Sequence, residues 1–214
     1  MNEEFFDKLR EKAKSYFKDG DGHGFDHIER VYRNALNISE GEDIDMDVVR
    51  AAALLHDVAR SVEDEKNVCH AEEGAKMAPG ILREVGFPED KIEKVVHAIG
   101  VHRYSKGLKA ETREAEILQD ADRLDALGVV ILVRMIQSAT FHGNAIYDAN
   151  IPIKPKYDGT KTTVINHIYE KILKITPESF KTPRAREIAK GRYNFVKEFA
   201  ERYISEVEGD YERE

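Results

Sequence analysis

At 214 residues the chain is long enough to close one well-formed core, and the absence of a linker-like stretch predicts a single domain over residues 1–214. The charged fraction is 35% and the formal net charge is -8, which argues against general affinity for nucleic acid or an anionic membrane. A local basic pocket for phosphate is compatible with that balance, so the expected partner is a small molecule. Cys69 is the single cysteine and excludes an intrachain disulfide; no stretch approaches the roughly 18 apolar residues that span a bilayer, and the cytoplasm is the expected compartment.

Taken in order, Phe5, Phe6, Leu9, Ala13, Tyr16 and Phe17 recur at helical spacing and predict a first helix. It ends in KDGDGHGFDH, a glycine-rich loop in which His23 is expected to be solvated. Asp26 is placed to cap a second helix, along which His27, Val31, Ala35 and Ile38 share one face. His27 thus opens a buried stripe, with Arg30 and Asn34 beside it. Asp45 or Asp47 caps the next helix, AAALLHDVAR, where Val49, Ala52, Ala53 and His56 form an inward stripe and Asp57 follows at once. A buried carboxylate must be paired, hydrogen-bonded, protonated or bound to a cation, and a neutral imidazole beside it suits a first-row divalent ion.

SVEDEKNVCH reads as a polar loop or frayed helix end, and Pro79-Gly80 as a kink or restart in the helix that His70 heads. Pro88 opens a helix whose apolar face carries Ile92, Val95, Ile99 and His102, with His97 turned away. In ETREAEILQDADRLDALG, Asp122 and Asp125 share a face with Leu118 and Val129; two carboxylates so placed repel unless a cation or proton intervenes. Helical patterning dissolves over about residues 142–163, a predicted long irregular loop. Beyond it, the C-terminal helices are expected over 164–208. Asn166, His167 and Lys171 fall within about one turn, suited to an anionic group, and the last helix carries a stripe of Ile188, Phe195, Phe199 and Ile204.

Read together, His27, His56, Asp57 and Asp122 are four potential ligands on three helices, the way a helical bundle assembles a metal site. The order H, HD, D resembles the HD-domain superfamily of metal-dependent phosphohydrolases over roughly Phe25 to Gly128. LQDADRLDALG and INHIYEKIL look like a small stand-alone branch that includes nucleoside triphosphate pyrophosphohydrolases. The resemblance implies a compact all-α bundle with its metal-site core at about 25–128. It implies a divalent ion (Mn, Mg, Fe, Co, Ni or Zn) on His27, His56, Asp57 and Asp122, and attack of metal-bound water on a phosphoanhydride or phosphoester, with a nucleotide as substrate. His70 and His102 stand where some HD proteins place ligands for a second metal.

The chain departs from other branches. HDVARS lacks the acidic pair of guanosine tetraphosphate hydrolases and the Glu of the deoxynucleotide 5'-nucleotidases; HRYSKG lacks the doubled histidine and Gly-Tyr-Pro of cyclic dinucleotide phosphodiesterases. Glu63 and Asp64 follow instead, as candidate proton-transfer groups, while Arg30, Arg123, His167 and Lys171 are candidates to hold phosphate. A di-iron oxygenase on the same scaffold and a non-catalytic nucleotide-binding regulatory module are the alternatives. Oligomeric state is not legible.

Overall fold

The computed structural model describes residues 1–17, 24–103, 106–160 and 162–210, without the side chains of residues 64 and 66. His23 and the side chain of Asp64 lie outside the described residues. Among the described residues the fold is all-α, ten α-helices and no strand. The chain falls into two compact units, Met1–Arg123 and Leu124–Glu214.

The first unit contains α1 (Glu3–Lys14), α2 (Phe25–Ile38), α3 (Met46–Leu55), α4 (Arg60–Lys66), α5 (His70–Val85), α6 (Glu89–Val101) and most of α7 (Arg113–Asp125). Its centre is α3, where Val48, Val49 and every residue from Ala51 to Leu55 are fully buried. A helix apolar on all sides must be enclosed, and each leucine so covered contributes about 1.5–3 kcal/mol. Asp45 caps it by accepting from Asp47 N at 3.1 Å. Arg50 fastens it to its neighbours. That guanidinium lies 3.7 Å over the Phe6 ring of α1 and donates to Tyr32 of α2 at 2.6 Å.

Three local expectations are revised. Gly24, not Asp26, is the N-cap of α2; Asp26 sits in the first turn and pairs with Arg30 at 2.6 Å. α5 passes through Pro79 as one element, with no restart. An internal proline costs about 3 kcal/mol or more, and here the buried face of Ala71, Gly74, Ala78, Ile81 and Leu82 keeps both halves in one helix. The segment read as polar loop or frayed helix end contains a helix of its own, α4, capped by Asn67 in the left-handed conformation, φ 53°.

The second unit holds α8 (Val129–His142), α9 (Val164–Glu170) and α10 (Pro183–Glu208), with short 3-10 turns at Ile172–Lys174 and Pro177–Ser179. The segment between α8 and α9 is irregular, as the pattern predicts, but it is anchored. Asn166 donates to the carbonyls of Ile151 and Pro152 at 3.2 and 3.0 Å, and Glu170 accepts from Lys154 N at 2.9 Å. Gly128 precedes α8 with φ 90°, and a Cβ there would lie 3.1 Å from Arg192 Cγ. In α10 the buried residues are Ala185, Ala189, Val196, Ala200 and Ser205, with Phe195 exposed. The larger stripe read from the sequence is thus displaced to the flank, because small side chains allow the closest approach of helix axes.

Candidate metal centre

Four imidazoles converge on Asp57, and most come from helix ends. His56 is the C-cap of α3 and His102 the C-cap of α6; His70 opens α5 and His27 lies in the first turn of α2. At its C-terminus α3 leaves carbonyls without helical partners, and His56 Nδ1 takes one, donating to Ala53 O at 2.9 Å. His102 Nδ1 does the same with Ile99 O at 2.7 Å. Because a carbonyl only accepts, each ring carries its proton on Nδ1 and turns the Nε2 lone pair inward. Past His56 the chain turns tightly, Val58 N donating to Leu55 O at 3.2 Å and Arg60 N to Asp57 O at 2.9 Å, which holds Asp57 against the ring it follows.

The Asp57 carboxylate has two faces. Oδ2 lies 3.8 Å from His27 Nε2 and 3.9 Å from His56 Nε2, and those two nitrogens are 3.3 Å apart. Oδ1 lies 3.3 Å from His70 Nε2 and 3.6 Å from His102 Nε2. Asp122 Oδ1 stands 3.4 Å from His27 Nε2, with its side chain 28% exposed where the other five are buried. Of the candidate ligands read from the sequence, His27, His56 and Asp57 thus lie within reach of one ion, as do Asp57, His70 and His102, and Asp122 adjoins His27. Donor atoms about 2.1 Å from one divalent ion sit roughly 3.0–4.2 Å from one another, the range of all these separations.

The electrostatics agree with a cation. Burial alone would raise the Asp57 carboxyl, but His56, His102 and Arg60 outweigh it and hold the group well below the usual carboxylate range. Burial lowers His56 to about 4, so it is a neutral ligand-type imidazole at pH 7. His102 is raised, the Asp57 carboxylate overcoming the effect of burial. Asp122 is lowered, burial being outweighed by His27, His56 and His102. Asp57 Oδ1 is buried and accepts no hydrogen bond within normal distance. Such an oxygen, facing His70 and His102, calls for a positive charge nearby.

Around this centre, His70 Nδ1 donates to Glu63 Oε2 of α4 at 2.9 Å, and Glu63 Oε1 accepts from Arg103 Nη1 at 2.7 Å. Burial would raise Glu63, yet His70, Arg60 and Arg103 lower it, so the group is an anchored carboxylate. Gln119 of α7 donates to the carbonyls of Val101 and Leu108 at 2.6 and 3.1 Å, securing the chain on both sides of His102. Asn34 donates to Ala121 O at 3.2 Å and ties α2 to the turn that carries Asp122. Sequence reasoning missed Gln119 and Arg60, neither of which has a residue-type signal at its spacing.

Other candidates are placed separately. His97 is half-buried and accepts from Glu111 N at 3.1 Å, outside the cluster. Arg30 lies one turn beyond His27, and Arg123 is buried next to Asp122. Asp125 is buried and accepts from Arg134 at 3.4 Å. His167 and Lys171 belong to the second unit, where both meet Tyr157, at 4.9 Å between ring centroids and 5.3 Å from Nζ to the ring. Among the described residues no single helix is long and apolar enough to cross a membrane.

Comparison with known proteins bears on this cluster directly. Residues 24–127 match the HD domain. An HD-superfamily hydrolase from Bacillus thuringiensis is similar in structure at TM-score 0.76 and 31% identity, covering 96% of this chain and 97% of that one. A predicted HD superfamily hydrolase from an uncultured Thermotogales bacterium has TM-score 0.67 and 32% identity, over 94% and 92% of the two chains. Bacillus subtilis YpgQ, solved in complex with ADP, has TM-score 0.69 and 26% identity over 95% of each chain. With the histidine-aspartate pair at 56 and 57 at the centre of the site, and near full-length similarity above 30% identity to HD-superfamily hydrolases, this chain belongs to the HD-domain superfamily.

Proposed function

We propose that the protein is a metal-dependent phosphohydrolase acting on a nucleotide phosphoanhydride or phosphoester, with nucleoside triphosphate pyrophosphohydrolysis as the leading form. The observation that carries this reading is the buried Asp57 carboxylate, whose Oδ2 faces His27 Nε2 and His56 Nε2 at 3.8 and 3.9 Å, with Asp122 Oδ1 3.4 Å from the same His27 nitrogen. His27, His56, Asp57 and Asp122 would hold the ion, which when bound supplies a Lewis acid for phosphoryl oxygen and an acidified water. The chain's own residues do the positioning. Backbone carbonyls of Ala53 and Ile99 fix the His56 and His102 rings, and Asp122 is the one partly exposed member. Arg30 and Arg123 are proposed phosphate contacts, since phosphoryl transfer is driven by positioning and charge neutralisation. The ADP complex of YpgQ supports a nucleotide ligand.

Purified protein loaded with Mn(II), Mg(II) or Co(II) and offered nucleotides and phosphomonoesters tests this. Pyrophosphate release from a nucleoside triphosphate is the expected result. Orthophosphate release would move the assignment to a phosphomonoesterase, and no release with any metal would remove the phosphohydrolase reading. Iron-dependent oxygen consumption would identify the di-iron alternative instead.

A further inference from the structure

Arg60 reaches the Oδ1 side of Asp57. Its Nη1 is 2.8 Å from His70 Nδ1 and 3.1 Å from His70 Nε2. The Nδ1 edge already faces Glu63, so a guanidinium nitrogen this close to both ring nitrogens packs against the imidazole rather than bonding to one of them. It is held there by Glu63 Oε2 at 3.3 Å, while Arg103 occupies the other oxygen of the same carboxylate. A fixed positive charge is thereby built onto the triad of Asp57, His70 and His102. On the Oδ2 side, by contrast, the charged groups facing His27 are the carboxylates of Asp57 and Asp122.

We propose that Arg60 stands in for a second divalent ion: the chain binds one metal, at His27, His56, Asp57 and Asp122, and the guanidinium supplies the second positive charge beside Asp57. Like charges at this range disfavour a second cation strongly when partly withdrawn from water. Arg60 is 30% exposed, so it remains accessible to an anionic oxygen of a phosphate as a divalent ion would be, with planar donors suited to that group. The inference rests on the metal-dependent reading above and narrows it to a mononuclear centre.

The test is a count of bound metal. Metal-free protein is dialysed against excess MnCl2, and bound Mn(II) per chain is measured by elemental analysis, with electron paramagnetic resonance reporting any spin-coupled pair. Wild type and Arg60→Lys are expected to hold about one Mn(II) and no coupled signal, whereas Arg60→Gln is expected to gain twofold and show coupling. Adding His102→Ala to Arg60→Gln should return the count to that of wild type. Two ions in wild type, or no gain in folded Arg60→Gln, overturns the proposal and leaves the metal-dependent reading intact. If Arg60→Gln fails to fold, the wild-type and Arg60→Lys counts decide. No bound Mn(II) in any form removes the metal-dependent reading itself.

Discussion

The two sides of Asp57 are built from the same parts and differ in what surrounds them. Each presents two imidazole nitrogens to one carboxylate oxygen, and each includes one histidine locked by the carbonyl three residues before it. On the His27 and His56 side the next charged group is Asp122; on the His70 and His102 side it is a guanidinium held by Glu63. A ligand set is therefore defined as much by the charges around it as by its donor atoms.

Substitution at the shared residue breaks both sides at once. Asp57→Asn is expected to lower metal-dependent turnover by at least about 10³-fold, the loss of several kcal/mol of transition-state stabilisation. Circular dichroism should show helical content retained; unchanged turnover would separate Asp57 from the chemistry. The comparison then sharpens with single histidines. His56→Ala should approach the Asp57 effect, and His102→Ala should cost only about 10- to 100-fold as a positioning loss; equal losses would mean that both sides hold metal. Chelation reads the same site through stability. A ligand present at about 100 times its dissociation constant stabilises by roughly 2.7 kcal/mol, so EDTA should lower Tm by about 5–10 °C at this chain length. His56→Ala should erase that difference.

Glu63→Gln tests whether the carboxylate behind His70 transfers protons or orients. Orientation predicts about a tenfold loss with an unshifted pH profile, and loss of a limb of that profile would identify Glu63 as the proton-transfer group. The smallest effect lies away from the centre, where Gly128→Ala should destabilise by about 1 kcal/mol. Its φ of 90° is unfavourable for alanine, and the added Cβ meets the Arg192 side chain that donates to Leu124 O at 2.6 Å.

Much of this centre was legible because helical periodicity predicts burial, and burial of His56 or Asp122 beside apolar neighbours demands a partner. The all-α fold, and the clustering of His27, His56 and Asp57 with Asp122 beside His27, followed from that demand together with the family resemblance. What stayed hidden depends on pairings without a period. Arg60 meets His70 across a turn, Gln119 meets two carbonyls from another helix, and Asn166 ties down a segment fifteen residues earlier. α4 was illegible for a related reason. Its residues SVEDEK have no apolar stripe, and the helix is stabilised by ion pairs of Glu63 with Arg60, Arg103 and His70 rather than by a buried face.

The location of His56 and His102 at the C-caps of their helices makes backbone phase an addressing device. Each α-helical residue turns the chain by about 100°, so inserting a single alanine within α3 ahead of Ala53 would swing the Ala53 carbonyl, the imidazole it orients and Asp57 together away from His27, His70 and His102. The same insertion in the segment joining α1 to α2 would leave every donor where it is. Length variation in this enzyme scaffold should accordingly be free between helices and forbidden within those that end at a histidine.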